Sequence, residues 1–158
     1  MTNKLLLPNK YKKIGWFIFI PAFIAGIILS ITGYEANWLQ TKVFAIVNNE
    51  LFGRTQYFQL VEINITNTTV GILFLVGAIL VGFSKEKTED EFIANIRLTS
   101  LLWALLVNNI LLLIAFVFIY GTTFLSVMVY NMFTIMIIFI FRFNYLLYKN
   151  SKTVTDEK

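Results

Sequence analysis

The sequence contains no cysteine and no histidine. Disulfide frameworks, Cys/His zinc sites, haem ligation and histidine acid–base chemistry are thereby excluded. Charge is also scarce: 14% of the 158 residues are Asp, Glu, Lys or Arg, against about 25% in soluble domains. No Gly-rich loop follows a strand-like run, which removes the common phosphate cradles. Serines stand without a histidine or a lysine-bearing motif nearby, so no activated nucleophile is legible. These absences predict a non-enzymatic protein with no cofactor and no metal.

What fills the chain instead is apolar surface. Hydrophobic residues make up 58% of it, aromatic residues 16%, and the mean hydropathy is +0.73. A water-soluble chain of this length buries only a limited share of its surface, so the natural host is a bilayer. A spanning helix needs about 20 predominantly apolar residues in succession. Four runs qualify as spans, at 14–34, 67–83, 98–120 and 124–143. The run at 67–83 is short, and its first turn is expected at headgroup level. Only Gly121, Thr122 and Thr123 separate the last two runs, which predicts a tight antiparallel helical hairpin. The expected fold is therefore an all-α membrane protein, a single integral domain over 1–158 built as an antiparallel bundle of four transmembrane helices. A cleaved signal peptide is the competing reading of the first run. That run is longer than a signal h-region and lacks a small-residue cleavage pattern, so a retained anchor is expected.

Eleven of the thirteen Lys and Arg residues fall on one side of this scheme. Lys4, Lys10, Lys12 and Lys13 precede the first run, Lys85, Lys87 and Arg97 lie between the second and third, and Arg142, Lys149, Lys152 and Lys158 follow the fourth. Only Lys42 and Arg54 lie opposite. The positive-inside rule then predicts a multi-pass protein of the inner (plasma) membrane with both termini cytoplasmic. This membrane-flanking distribution also accounts for the +4 formal charge without a direct nucleic-acid partner. The lipid bilayer is the expected partner, and the sequence leaves oligomeric state open.

Residues 35–66 form the one sizeable segment outside the expected spans. Leu39, Val43, Phe44, Val47 and Leu51 recur at helical spacing opposite Gln40, Lys42, Asn49 and Glu50. That pattern predicts a short interfacial helix between the first two spans. Within 85–109, KEKTEDEFIANIRLTSLLWALLVNN, Thr88 and Glu91 have the spacing of a capping box, with Glu89 and Asp90 in the positive first turn. A helix is expected to start there in the cytoplasm and continue into the third span.

Polar residues at depth are few. No Asp, Glu or Lys lies in the middle of any span, which argues against a proton motor or an ion-driven pump. The boundary charges Asp90, Glu91, Arg97 and Arg142 read as snorkelling anchors and caps, with a pairing of Arg142 to Glu91 or Asp90 as the sharper alternative. Asn108 and Asn109 fall near the centre of the third span and need partners in hydrocarbon. With the turn near Thr122, Asn109 faces Thr134, and Asn131 lies about one turn outward. This intramembrane cluster reads as interhelical glue or, alternatively, as a polar ligand site or pore lining. Ala22, Gly26 and Ser30, then Ala78 and Gly82, then Ser100, Ala104 and Asn108 form small-residue ridges where helices can meet. Pro21 is expected to bend the first span.

The stretches LLLPNKYKKIGWFIFIPAFIAG, EDEFIANIRLTSLLWA and FRFNYLLYK together resemble a set of small uncharacterised bacterial four-span membrane proteins. Members of that set are often encoded beside a helix-turn-helix regulator. The resemblance implies a membrane partner of a regulator or stress response, acting with another membrane protein or a cytoplasmic regulator. It defines no functional residues. The expected function is an accessory or regulatory one, exercised through the charged cytoplasmic face at 84–97 and 144–158. The alternative is a small oligomeric channel or transporter with a polar path at Asn108, Asn109 and Asn131.

Overall fold

A computed structural model describes residues 6–32, 38–48 and 56–156. Four helices and one hairpin follow in the order α1 (Lys10–Ile31), β1 (Gln40–Asn48), β2 (Gln56–Asn64), α2 (Thr66–Gly82), α3 (Glu91–Phe118) and α4 (Thr122–Asp156). Tyr34 at the end of the first expected span lies outside the described residues, as do Lys4, Asn49, Glu50, Leu51, Arg54 and Lys158. Three helices, α1, α3 and α4, are long and apolar enough to cross a membrane. α2 is apolar but has 17 residues, about 26 Å at 1.5 Å per residue, just under the hydrocarbon thickness.

The helices are apolar on nearly all sides, as expected where the surroundings are lipid. Side chains such as Phe17, Ile31, Leu113 and Phe118 point outward. The interior is narrow and lined by small residues and phenylalanines. Ala78, Val81, Ala104 and Phe139 are fully sealed from the surroundings, and Phe19, Phe74 and Phe143 pack with them. α1 packs on α2, α2 on α4, and α4 on α3.

Glycine sets the closest of these contacts. A Cβ on Gly15 would lie 2.8 Å from the backbone nitrogen of Val81, and one on Gly77 would lie 2.7 Å from the nitrogen of Phe19. α1 and α2 thus touch backbone to backbone at two places, which suits helices associating without a hydrophobic driving force. The expected ridge residues Ala22, Ala78, Gly82, Ser100, Ala104 and Asn108 are buried. Gly26 is different, since a Cβ there would meet nothing within 4 Å. Pro21 sits within α1, which runs on past it to Ile31.

The segment expected as an interfacial helix is an antiparallel hairpin. β1 and β2 pair in a register that sets Lys42 opposite Glu62, Val43 opposite Val61, and Phe44 opposite Leu60. The all-α expectation is corrected accordingly. The physical reason lies in the side chains: Val43, Ile46, Val47, Val61 and Ile63 are β-branched, and Phe44, Tyr57 and Phe58 are aromatic. Such residues lose rotamer freedom in a helix and fit a pleated surface. Phe58 carries a positive φ of 52°, a strained position for an aromatic residue. The hairpin is rooted at its base, where the Ile65 N–H donates to the Leu39 carbonyl at 2.9 Å. The Leu39 N–H donates in turn to the Thr66 hydroxyl at 3.1 Å. Beyond that base Phe44, Ile46, Phe58 and Leu60 are exposed.

Candidate functional site

At the far end of the bundle from the hairpin, the chain preceding α1 runs beside the loop that follows α2. The Leu7 N–H donates to the Phe83 carbonyl at 2.9 Å, and the Lys85 N–H to the Leu7 carbonyl at 2.8 Å. The Asn9 side-chain amide adds a bond to the Lys85 carbonyl at 2.7 Å. Three bonds thus clasp one short segment onto another, and they hold Ser84 fully buried. Its hydroxyl donates back to the Leu80 carbonyl, satisfying the last turn of α2.

Arg97, in the second turn of α3, closes this knot. Its two terminal nitrogens donate to the two Glu89 carboxylate oxygens at 2.6 and 3.1 Å, and one also reaches the Ser84 carbonyl at 3.2 Å. The rigid guanidinium fork matches a carboxylate in a way an ammonium cannot. Its carbon lies 5.0 Å from the centre of the Phe143 ring on α4. Only 7% of Arg97 is exposed. Burial pushes the Glu89 carboxyl upward. The Arg97 hydrogen bonds, the Glu86 N–H at 2.9 Å and the charges of Arg97 and Lys85 outweigh it, leaving the carboxyl below its ordinary range. A second ion pair joins Lys12 of α1 to Glu86, with Asn144 of α4 at 3.5 Å from the same ammonium. Residues from α1, the α2–α3 loop, α3 and α4 therefore meet around Phe143.

Beside this node opens a cleft of about 900 Å³, with Lys13, Lys87, Asp90, Tyr148 and Asn150 on its walls. Its lining mixes both signs of charge over an apolar floor that includes Trp16 and Ile96. Among the described residues no group of three or more Asp or Glu converges in a way that could hold a metal ion.

The boundary charges separate into different roles. Asp90, not Thr88, caps α3: its carboxylate accepts from the Ile93 N–H at 2.8 Å. The capping box is corrected, because Glu89 is taken up by Arg97 and the helix starts only at Glu91. Glu91 occupies the first turn and is exposed. Arg142 meets neither acid. Its guanidinium lies 4.2 Å from the centre of the Trp103 ring, a cation–π contact on the outside of the α3–α4 pair.

Of the intramembrane cluster, two members are brought together. Asn108 and Asn131 exchange two amide hydrogen bonds, each 3.2 Å, across α3 and α4. Asn109 is exposed on the outer side of α3, and its amide donates to the Leu105 carbonyl one turn back at 2.9 Å. Thr134 likewise bonds its own helix, at the Tyr130 carbonyl. The turn between α3 and α4 falls earlier than Thr122, with Gly121 in the left-handed region at φ 74°, so Asn108 rather than Asn109 faces α4.

The clasp of Leu7 on Phe83 and Lys85, and the Glu89–Arg97 pair, were not anticipated. Backbone pairing between two irregular segments leaves no residue pattern. The run Glu89-Asp90-Glu91 offered three candidate partners for one arginine. No protein family, curated protein or solved structure matches this chain.

Proposed function

We propose that this is a four-span protein of the inner membrane with cytoplasmic termini, in which α2 makes the fourth crossing. It acts as a non-enzymatic accessory or regulatory subunit through its charged end. The observation that supports this reading best is the mixed-charge cleft beside the Arg97–Glu89 pair, whose walls come from both ends of the bundle's chain and the α2–α3 loop. A rigid, ion-paired rim with an apolar floor is the kind of surface on which another protein gains both specificity and contact area. Three lysines of this end also suit an anionic inner leaflet. The partner is then a membrane protein at its inner boundary or a cytoplasmic regulator. The transport alternative draws less support, since Asn108 and Asn131 satisfy each other.

The test is in-cell photo-crosslinking from positions 87 and 148 on the cleft, with position 113 on the lipid face as control. One discrete adduct shared by 87 and 148, lost on Lys13→Glu, is the expected result. Adducts equally strong from 113, or none from the cleft, would refute the reading. A reporter fused behind residue 158 that is active only outside the cytoplasm would refute the topology.

A further inference from the structure

Gly15 and Gly77 bring α1 and α2 into backbone contact at the charged end, but at Gly26 that contact has opened. The space left is a cavity of about 210 Å³ between α1, α2 and α4, larger than the about 150 Å³ apolar cavity that accommodates benzene. Ala22, Gly26, Phe74, Phe133 and Ile137 give it apolar walls. It runs along α1 from Ser30 to Ala22, roughly 12 Å of helix.

Its polar side chains gather toward the hairpin end, apart from Thr134 one turn further along α4, whose hydroxyl is taken up by the Tyr130 carbonyl. At that end the Ser30 hydroxyl donates to the Tyr130 hydroxyl at 2.9 Å, joining α1 to α4 across the mouth. Asn67, in the first turn of α2, also lines the cavity, and its side-chain oxygen is buried without a hydrogen-bond partner. A buried acceptor left unpaired is costly, and in native structures each such group calls for an explanation. The side-chain amide needs only a turn about its last torsion, which is broad and soft, to present that oxygen to the cavity.

We propose that this cavity is a binding site for a single-chain amphiphile carrying a hydroxyl head. The hydroxyl donates to Asn67 and meets the Ser30–Tyr130 pair, and the chain lies along Gly26 and Ala22 toward Ile137. Lipid chains reach the site sideways, since its walls belong to helices set in the bilayer. The inference rests on bilayer placement alone. It is independent of the cytoplasmic-partner reading, so either stands if the other fails.

The probe is a medium-chain primary alcohol with a diazirine in its chain, compared with its methyl ether, on the full-length protein in nanodiscs. Adduct positions are mapped by mass spectrometry. The alcohol is expected to label the peptides holding Gly26 and Phe133 about tenfold more than the ether, the effect of one hydrogen bond. Gly26→Leu, which fills the cavity, cuts that labelling by about the same factor. Asn67→Leu reduces the alcohol to the level of the ether. Equal labelling by alcohol and ether in the wild type overturns the proposal without any variant. So does an adduct pattern spread over outward residues such as Leu113 and Phe116 and indifferent to Gly26→Leu, which describes annular lipid only.

Discussion

Arg97 and Glu89 stand eight residues apart and hold each other by two hydrogen bonds, at 2.6 and 3.1 Å, with Phe143 closing over the guanidinium. This pair fixes the α2–α3 loop to the start of α3, and the same arginine binds the Ser84 carbonyl. Arg97→Ala leaves a half-buried carboxylate without its partner. A loss of about 2–4 kcal/mol is expected, at the lower side of broken buried pairs because Glu89 retains some exposure. Arg97→Lys keeps the charge but not the fork and should fall between the two. Reversible unfolding in mixed micelles measures all three.

The same carboxylate sets a pH dependence. Its folded pKa lies below that of the unfolded chain, so the stabilisation it contributes is fully present above the unfolded value, near about 4.3. It is lost as pH falls through the lower, folded value. Wild type should exceed Glu89→Gln in thermal midpoint at pH 7, and the gap should close in the acid range below about pH 4. A gap that persists undiminished through that acid range would exclude this role for Glu89.

Close helix approach makes a sharp contrast among glycines. Gly15→Ala and Gly77→Ala each place a carbon within 2.8 Å of a facing backbone atom and should cost about 1–3 kcal/mol. Gly26→Ala meets nothing within 4 Å and should be neutral or slightly stabilising. Unfolding midpoints of the three variants decide this directly.

The amide pair of α3 and α4 is suited to a double-mutant cycle. Asn108→Ala and Asn131→Ala should couple by about 0.6 kcal/mol, and by no more than about 1.7. Asn109→Leu should change stability little, because its amide is satisfied within its own helix and it faces outward.

The long helices were readable in the chain because hydrocarbon imposes a simple demand, an uninterrupted apolar run, and α1, α3 and α4 meet it. The hairpin was not, since Leu39, Val43, Phe44 and Val47 fit a helical spacing while Lys42, Phe44 and Ile46 fit no clean alternation. β-branched density was the signal that decided it physically. Asn108 and Asn131 were both picked out, but their pairing depended on where α3 ends. A shift of the turn by a few residues rotates a helix face by a large angle. Asp90 takes the cap expected of Thr88, and Glu89 leaves the first turn for Arg97, for a similar reason: which of three adjacent acids meets Arg97 is settled by the course of residues 83–90, held by Leu7, and no local pattern encodes that course.

The way α1 is attached has one more consequence. It is fastened to α2 by the Gly15 and Gly77 contacts in its first half and by the Leu7–Phe83 and Lys85–Leu7 backbone bonds at its start, while the hairpin links their far ends. Covalent continuity between β1 and β2 should therefore be dispensable to the assembled shape. A protease site inserted there should yield two fragments that co-migrate on a native gel after cleavage. The same two pieces, made from separate genes, should find each other in the membrane and rebuild the whole.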